Sequence, residues 1–185
     1  MSNILPSFTT EGVLPIGDYA LTLEELRQSH LVTGHGNASP NWDSGWRAEL
    51  VDNLAILASQ LWAVGIAEIF VDGSFVEDRD HPGDIDGYFV VDPSRLAGRK
   101  LEQELNRFDP YQIWTWNPQK RIVPPSGGKP QLPMWIQYRV ELFPHFPGLY
   151  SGITDQYGNQ LSFPAAFRKS RLFQPKGIIA LRKET

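Results

Sequence analysis

The chain has 185 residues, of which 41% are hydrophobic and 21% charged, so it can bury a core and is not a disordered chain. It contains no cysteine, which excludes disulfides, thiolate metal sites and cysteine nucleophiles. The net charge of −4 argues against a general nucleic-acid binder.

The segment from Met1 to Phe8 lacks a basic region followed by a long apolar region, so no signal peptide is expected. No apolar run approaches the roughly 18 residues that a membrane-spanning helix needs. We therefore expect a cytoplasmic protein that does not enter a membrane.

The N-terminal third predicts one irregular segment and two helices. Residues 1–21 carry scattered Pro and Gly and predict an irregular or edge segment. Thr22 and Glu25 have the spacing of a capping box, which predicts a short helix to about Ser29. After a loop over 33–45, leucines recur at three- and four-residue spacing and predict a helix over 45–64 that Gly65 ends.

Two apolar runs in the middle of the chain predict neighbouring strands. Residues 67–72 are almost continuously apolar, as in a strand that is covered on both faces. Gly73 and Ser74 form a turn, a polar loop follows, and residues 85–91 predict the second strand, whose direction relative to the first is left open.

The second half predicts a helix, a long loop and two more strands. Asp92 and Pro93 predict the start of a helix that runs to about Phe108. Residues 109–134 hold six prolines and predict a long irregular insertion, within which residues 112–116 predict a short strand. Residues 135–143 alternate and predict a strand that Pro144 ends, and residues 177–181 predict the last strand. We find no linker and expect one domain over residues 1–185.

Three acidic residues are the strongest chemical signal. Asp84 and Asp86 stand at i and i+2 at the start of a strand, so their side chains point to the same face. Glu141 lies inside an apolar strand, and it joins them if its strand neighbours residues 85–91. Three clustered carboxylates repel one another, and such a cluster normally implies a bound cation such as Mg²⁺ or Mn²⁺.

The spacing Gly73-Ser74, nine residues, Asp84-Ile85-Asp86, with a later acid in an apolar strand, resembles the nucleotidyltransferase superfamily typified by DNA polymerase beta. The surrounding segments Val71–Val76 and Pro82–Asp86 resemble a family of uncharacterised bacterial proteins. The Leu14–Gly17 and Lys176–Ile179 elements extend this second resemblance over most of the chain. The resemblance implies an α/β (α+β) fold, with a mixed β-sheet and flanking helices.

The resemblance also implies a role for each site residue. Gly73 would let the backbone approach a triphosphate, and Ser74 would donate a hydrogen bond to a phosphate oxygen. Asp84, Asp86 and Glu141 would bind the metal ions and serve as the catalytic acids. Lys176, between Pro175 and Gly177, is our candidate for a further nucleotide contact.

Other readings of these residues remain open. Asp72 is either a turn-capping residue or a fourth acid of the site. The basic residues near the C-terminus form either a solvated face or a contact surface for phosphate or RNA: Arg168, Lys169, Arg171, Lys176, Arg182 and Lys183. Trp114, Trp116 and Trp135 either stack on a base or belong to the core. An EF-hand is excluded because Pro82 occupies a ligand position, and the four histidines are too scattered to predict a zinc site.

The sequence thus predicts a metal-dependent nucleotidyltransferase that transfers NMP from an NTP, its substrate, to a hydroxyl of RNA (tRNA among the candidates), of a protein or of a small molecule. A toxin–antitoxin or defence setting follows by analogy only. The alternative is a non-catalytic nucleotidyltransferase-fold binding module or antitoxin. The oligomeric state is left open.

Overall fold

Five strands form one mixed sheet. A computed structural model describes residues 5–184; residues 1–4, the start of the predicted irregular segment, lie outside the described residues. The strands are β1 (Asp18–Leu21), β2 (Ile69–Asp72), β3 (Ile85–Val90), β4 (Val140–His145) and β5 (Ile178–Leu181). Their order across the sheet is β1-β5-β2-β3-β4.

The sheet combines parallel and antiparallel pairs. β1 runs parallel to β5, and β3 runs parallel to β4. β2 is antiparallel to both of its neighbours, β5 and β3. The predicted α+β class, a mixed sheet with flanking helices, is confirmed. β1 lies at one edge, within the segment predicted as irregular or edge.

Within the described residues, six α-helices flank this sheet or connect its strands: α1 (Leu23–Gln28), α2 (His30–Thr33), α3 (Ser44–Ala63), α4 (Lys100–Leu105), α5 (Pro133–Tyr138) and α6 (Phe163–Phe167). The capping box of Thr22 and Glu25 is formed in full and begins α1. Asp43 accepts a hydrogen bond from the Trp46 amide at the start of α3. Gly65 follows α3 with φ of +80°, as predicted. No helix among residues 5–184 is long and apolar enough to span a bilayer.

The two faces of the sheet are covered by different elements. α3 packs its buried leucines against one face, where Ile85 and Phe89 of β3 join the main hydrophobic core. α6 covers the other face, where its Phe163 packs with Tyr88. Because side chains alternate along a strand, Asp86 lies on the same face as Tyr88, away from α3.

Two of the predicted elements are wrong. The predicted strand over 135–143 is helical in its first part, because Pro133 begins α5 and Arg139 ends it in the left-handed conformation (φ +54°). The strand is β4 and continues through Pro144. A proline is tolerated there because β4 is an edge strand, with one side free of sheet hydrogen bonds.

The predicted helix over 93–108 is also wrong in extent. Two 3₁₀ turns precede α4, and Gly98 and Arg99 both have φ of +61°, which interrupts a right-handed helix. Phe108 lies beyond α4 and is 55% exposed. The insertion over 109–134 contains a 3₁₀ turn at Pro118–Lys120 and no strand over 112–116.

Candidate functional site

Three acidic residues form a row across three neighbouring strands. Asp72 of β2 is paired with Asp86 of β3, and Asp86 is paired with Glu141 of β4. Residues opposite one another on adjacent strands point to the same face. We call Asp72, Asp86 and Glu141 the acid row. Asp84 precedes β3 by one residue and is two residues from Asp86. Because β4 is the neighbour of β3, Glu141 joins the two aspartates, as the sequence predicted for neighbouring strands.

The Gly73–Ser74 turn passes directly beside this row. It belongs to a 3₁₀ turn at Gly73–Val76, which follows β2 without a break. Gly73 has φ of +76°, and a Cβ atom at this position would lie 2.8 Å from Oδ2 of Asp86. Only glycine therefore lets the turn approach the Asp86 carboxylate so closely. Any anion that the backbone of this turn binds would lie next to the acid row.

The end of the Pro-rich insertion and α5 supply partners for two of the acids. The indole nitrogen of Trp135 donates a hydrogen bond to Oδ2 of Asp84 at 2.7 Å. The amide of Leu132 donates to Oε1 of Glu141 at 3.3 Å. The guanidinium of Arg121 lies 3.6 Å from the same Glu141 oxygen. The insertion and α5 therefore orient Glu141 and Asp84 from outside the sheet.

Burial and mutual repulsion disfavour the ionised forms of these acids. Burial, followed by repulsion from Asp84 and Glu141, raises the pKa of Asp86 to about 8. Burial also raises the pKa of Glu141 and raises that of Asp72 well above its usual range, although Lys176 opposes the rise at Asp72. A row of carboxylates with raised pKa values is a place where a cation or a proton is bound favourably.

Lys176 is buried and holds the turn. Its amine donates hydrogen bonds of 2.8 Å to the Gly73 carbonyl and to Oε1 of Glu77, and it lies 2.9 Å from Oδ1 of Asp72. Lys176 and the fully buried Asp72 therefore form an ion pair. Lys176 thereby ties the residue before the turn to the residue after it. Its direct contact with a nucleotide stays a prediction.

These residues open into one cavity of about 640 Å³. Its lining includes the six residues that the sequence assigned to metal or nucleotide binding, Gly73, Ser74, Asp84, Asp86, Glu141 and Lys176, but not Asp72. Four further cationic side chains line it, namely those of Arg121, Lys129, Lys169 and Arg171. Carboxylates beside several cations suit a ligand that combines a metal ion with phosphates.

The donor chemistry fits a hard cation, but the side chains do not form a complete coordination group as they stand. Carboxylate oxygens are the ligands that Mg²⁺ and Mn²⁺ prefer, and Asp86 faces the cavity. Within residues 5–184, no group of three or more His, Asp or Glu side chains is arranged to hold a metal ion. Asp84 is oriented by Trp135 and Glu141 by Leu132, so a shared ion requires these two carboxylates to rotate.

The structure places the tryptophans and two of the histidines. Trp114 is fully buried, and Trp116 donates to the Leu142 carbonyl, so both belong to the core. Trp135 is buried against the site instead. His30 and His35 approach with their ring centroids 6.5 Å apart, which their sequence spacing did not predict, and His35 contacts Asp78 rather than the acid row.

The basic residues near the C-terminus do not form one surface. Arg168 pairs with Asp18, and Arg182 pairs with Glu25. Lys169 and Arg171 line the cavity instead. Sequence reasoning missed Arg121 and Lys129, because single basic residues in an irregular segment carry no periodic signal.

One protein family matches this chain. Its profile, described as a family of unknown function (DUF6932), matches residues 6–182. No curated protein and no solved structure matches the chain.

Proposed function

Because the chain belongs to DUF6932, a family of unknown function, its activity has to be argued from the site, and we propose that it is a metal-dependent nucleotidyltransferase. The observation that carries this proposal is the closeness of the Gly73–Ser74 turn to the acid row. A Cβ at Gly73 would lie only 2.8 Å from Oδ2 of Asp86. Phosphates held by the turn would therefore lie beside carboxylates that need a cation.

We assign Asp84, Asp86 and Glu141 to hold Mg²⁺ or Mn²⁺ together with the triphosphate of an NTP. When bound, the metal supplies positive charge that neutralises the phosphates and lowers the pKa of a bound hydroxyl. Cavity-lining cations, among them Arg121 and Lys129, contribute further positive charge for the triphosphate. Ser74 offers a hydroxyl donor at the turn.

In the proposed reaction, a hydroxyl oxygen of the acceptor forms a bond to the α-phosphorus. The bond from this phosphorus to the bridging oxygen breaks, and pyrophosphate leaves with the bonding electrons. Glu141, whose carboxylate lines the cavity, takes up the hydroxyl proton. The acceptor is RNA, a protein or a small molecule, and cellular NTPs and Mg²⁺ place the reaction in the cytoplasm.

The test follows the α-phosphate. Purified protein is incubated with Mg²⁺ and each α-labelled NTP in turn, together with cellular RNA, protein or a small-molecule extract. We expect label in one acceptor fraction and an equal amount of pyrophosphate. Asp86→Asn and Glu141→Gln should each reduce the rate by about 100-fold or more.

The matched control is Glu49→Gln, which changes an exposed acid of α3 that does not line the cavity. It should retain the wild-type rate. If no NTP binds, no acceptor is labelled, and a partner protein binds wild type and Asp86→Asn equally, the proposal is wrong. The fold then serves as a non-catalytic binding module or antitoxin.

A further inference from the structure

Two kinds of side chain line the cavity. Its polar part is formed by Asp84, Asp86, Glu141, the Gly73–Ser74 turn and the cationic side chains. Its apolar part, which we call the wall, is formed mainly by residues that follow β4: Phe143, Ile153, Leu161, Phe163, Phe167 and Phe173. Apolar side chains offer no hydrogen-bond donors to phosphates and no ligands to a metal ion. The wall is therefore suited to an apolar part of a ligand.

The wall is continuous with the sheet. Along β2, β3 and β4, the positions two residues away from the acid row on the same face are Phe70, Tyr88 and Phe143, which are paired across the strands. Helix α6 stacks on this aromatic row: Phe163 lies 5.0 Å from Phe143, with an interplanar angle of 13°. Stacked aromatic rings form a rigid apolar surface. Along each strand, this surface lies two residues from a carboxylate of the acid row.

Two side chains of the wall expose apolar surface. Ile153 is 46% exposed and Phe173 is 41% exposed, and both line the cavity. Phe173 has φ of +60°, a left-handed conformation that is costly for a bulky residue. A tight turn holds it there, because the Phe173 amide donates to the Ser170 carbonyl at 2.9 Å. Strained residues persist where the surrounding structure fixes them, and they cluster at binding sites.

We propose that the apolar wall binds the base of the nucleoside triphosphate, with the ring of Phe173 as its main contact, and that it favours purines over pyrimidines. This inference rests on the proposed function. Stacking on an aromatic ring requires only a flat ring system, so adenine and guanine are both accepted. The larger ring system of a purine covers more of the wall and is bound more tightly than a pyrimidine.

The test compares ligands with and without a base. Dissociation constants of ATP, UTP and inorganic tripolyphosphate are measured by calorimetry in the presence of Mg²⁺. We expect ATP to bind about tenfold or more tightly than tripolyphosphate, with UTP between them. Phe173→Ala should weaken ATP binding about tenfold and leave tripolyphosphate binding unchanged.

Two further variants separate the ring from its backbone. In Phe173→Gly, the glycine adopts φ of +60° without strain. This variant should weaken the binding of ATP as much as Phe173→Ala does, because the aromatic ring makes the contact and the backbone conformation does not. Leu172→Ala is the matched control: its side chain is 81% exposed, next to Phe173, and does not line the cavity. This variant should change the dissociation constant of neither ATP nor tripolyphosphate.

The outcomes distinguish the inference from the proposed function. If ATP and tripolyphosphate bind equally and Phe173→Ala changes neither, the base site is wrong while the phosphate and metal site stands. If UTP binds as tightly as ATP, the preference for purines is wrong. If none of the three ligands binds, the proposed function fails and the base site fails with it.

Discussion

The substitution Asp86→Asn should stabilise the protein at alkaline pH in the absence of metal. Burial and the carboxylates of Asp84 and Glu141 raise the pKa of Asp86 to about 8, whereas the same side chain in the unfolded chain titrates near 3.8. Between these values the folded protein retains a proton that the unfolded chain releases. The free energy of unfolding therefore falls as the pH rises through this window. Asparagine has almost the same shape and cannot ionise.

The size of the effect follows from the same pKa values. At 1.36 kcal/mol per pH unit, the difference between 3.8 and about 8 gives a ceiling of about 6 kcal/mol above pH 8. Lys176 and Arg171 oppose the repulsion, and side chains can move apart. We therefore expect a measured gain of about 1–3 kcal/mol at pH 8.5, which is roughly 3–10 °C in melting temperature for a chain of this length. Near pH 4 the gain should vanish.

The measurement is a series of thermal and urea unfolding curves from pH 4 to pH 9 in the presence of EDTA, with Glu49→Gln as the control for loss of an exposed carboxylate. Saturating Mn²⁺ should then raise the melting temperature of the wild type at pH 8.5 and leave that of Asp86→Asn unchanged. A variant that is less stable than the wild type by the same amount at every pH would show that the Asp86 carboxylate is not repelled. The electrostatic account of the acid row would then be wrong.

Three further substitutions test the surroundings of the acid row. Gly73→Ala should cost about 1–2 kcal/mol of stability for the left-handed φ and weaken NTP binding at least about tenfold, measured by urea unfolding and calorimetry, because the new Cβ displaces the Asp86 carboxylate; unchanged affinity would mean that the turn does not contact phosphate. Trp135→Phe retains an aromatic ring but removes the hydrogen bond that Asp84 must give up to rotate toward a shared ion, so Mn²⁺ should bind about tenfold more tightly by calorimetry while the melting temperature changes little; equal affinity would remove Asp84 from the metal site. Lys176→Met should destabilise the fold by about 3–5 kcal/mol at alkaline pH and by less as the pH falls, because burial raises the pKa of Asp72 and a protonated Asp72 no longer needs the Lys176 charge; a cost that does not vary with pH would contradict the ion pair.

The sequence predicted the side chains that face the cavity better than it predicted the elements that carry them. Asp84 and Asp86 were placed correctly on one face because the period of two in a strand is set by local backbone geometry. Glu141 was also placed on that face, although its strand was drawn over 135–143. The alternation of residues 135–139 is accidental, and Pro133 begins a helix there.

The remaining features depend on contacts that are distant in sequence. Lys176 and Glu77 are 99 residues apart, and only the fold brings the amine to the turn. Arg121 approaches Glu141 because an irregular segment passes the edge of the sheet, and a segment without periodicity carries no local signal for its path. The apolar wall is likewise a product of tertiary packing, since Phe163 reaches Phe143 across a turn-rich segment.

The order of strands has a consequence for how the chain folds during synthesis. β5, the last strand in the sequence, lies between β1 and β2. These two strands cannot belong to one sheet until residues 178–181 have left the ribosome, because proteins are made and released from the N-terminal end. Lys176, which pairs with Asp72 and Glu77, emerges just before β5. About a hundred further residues are therefore synthesised after these acids before their counter-charge is available. The nascent chain thus contains the acids of the site before the lysine that neutralises them. The site is completed only after residues 176–181 have been translated.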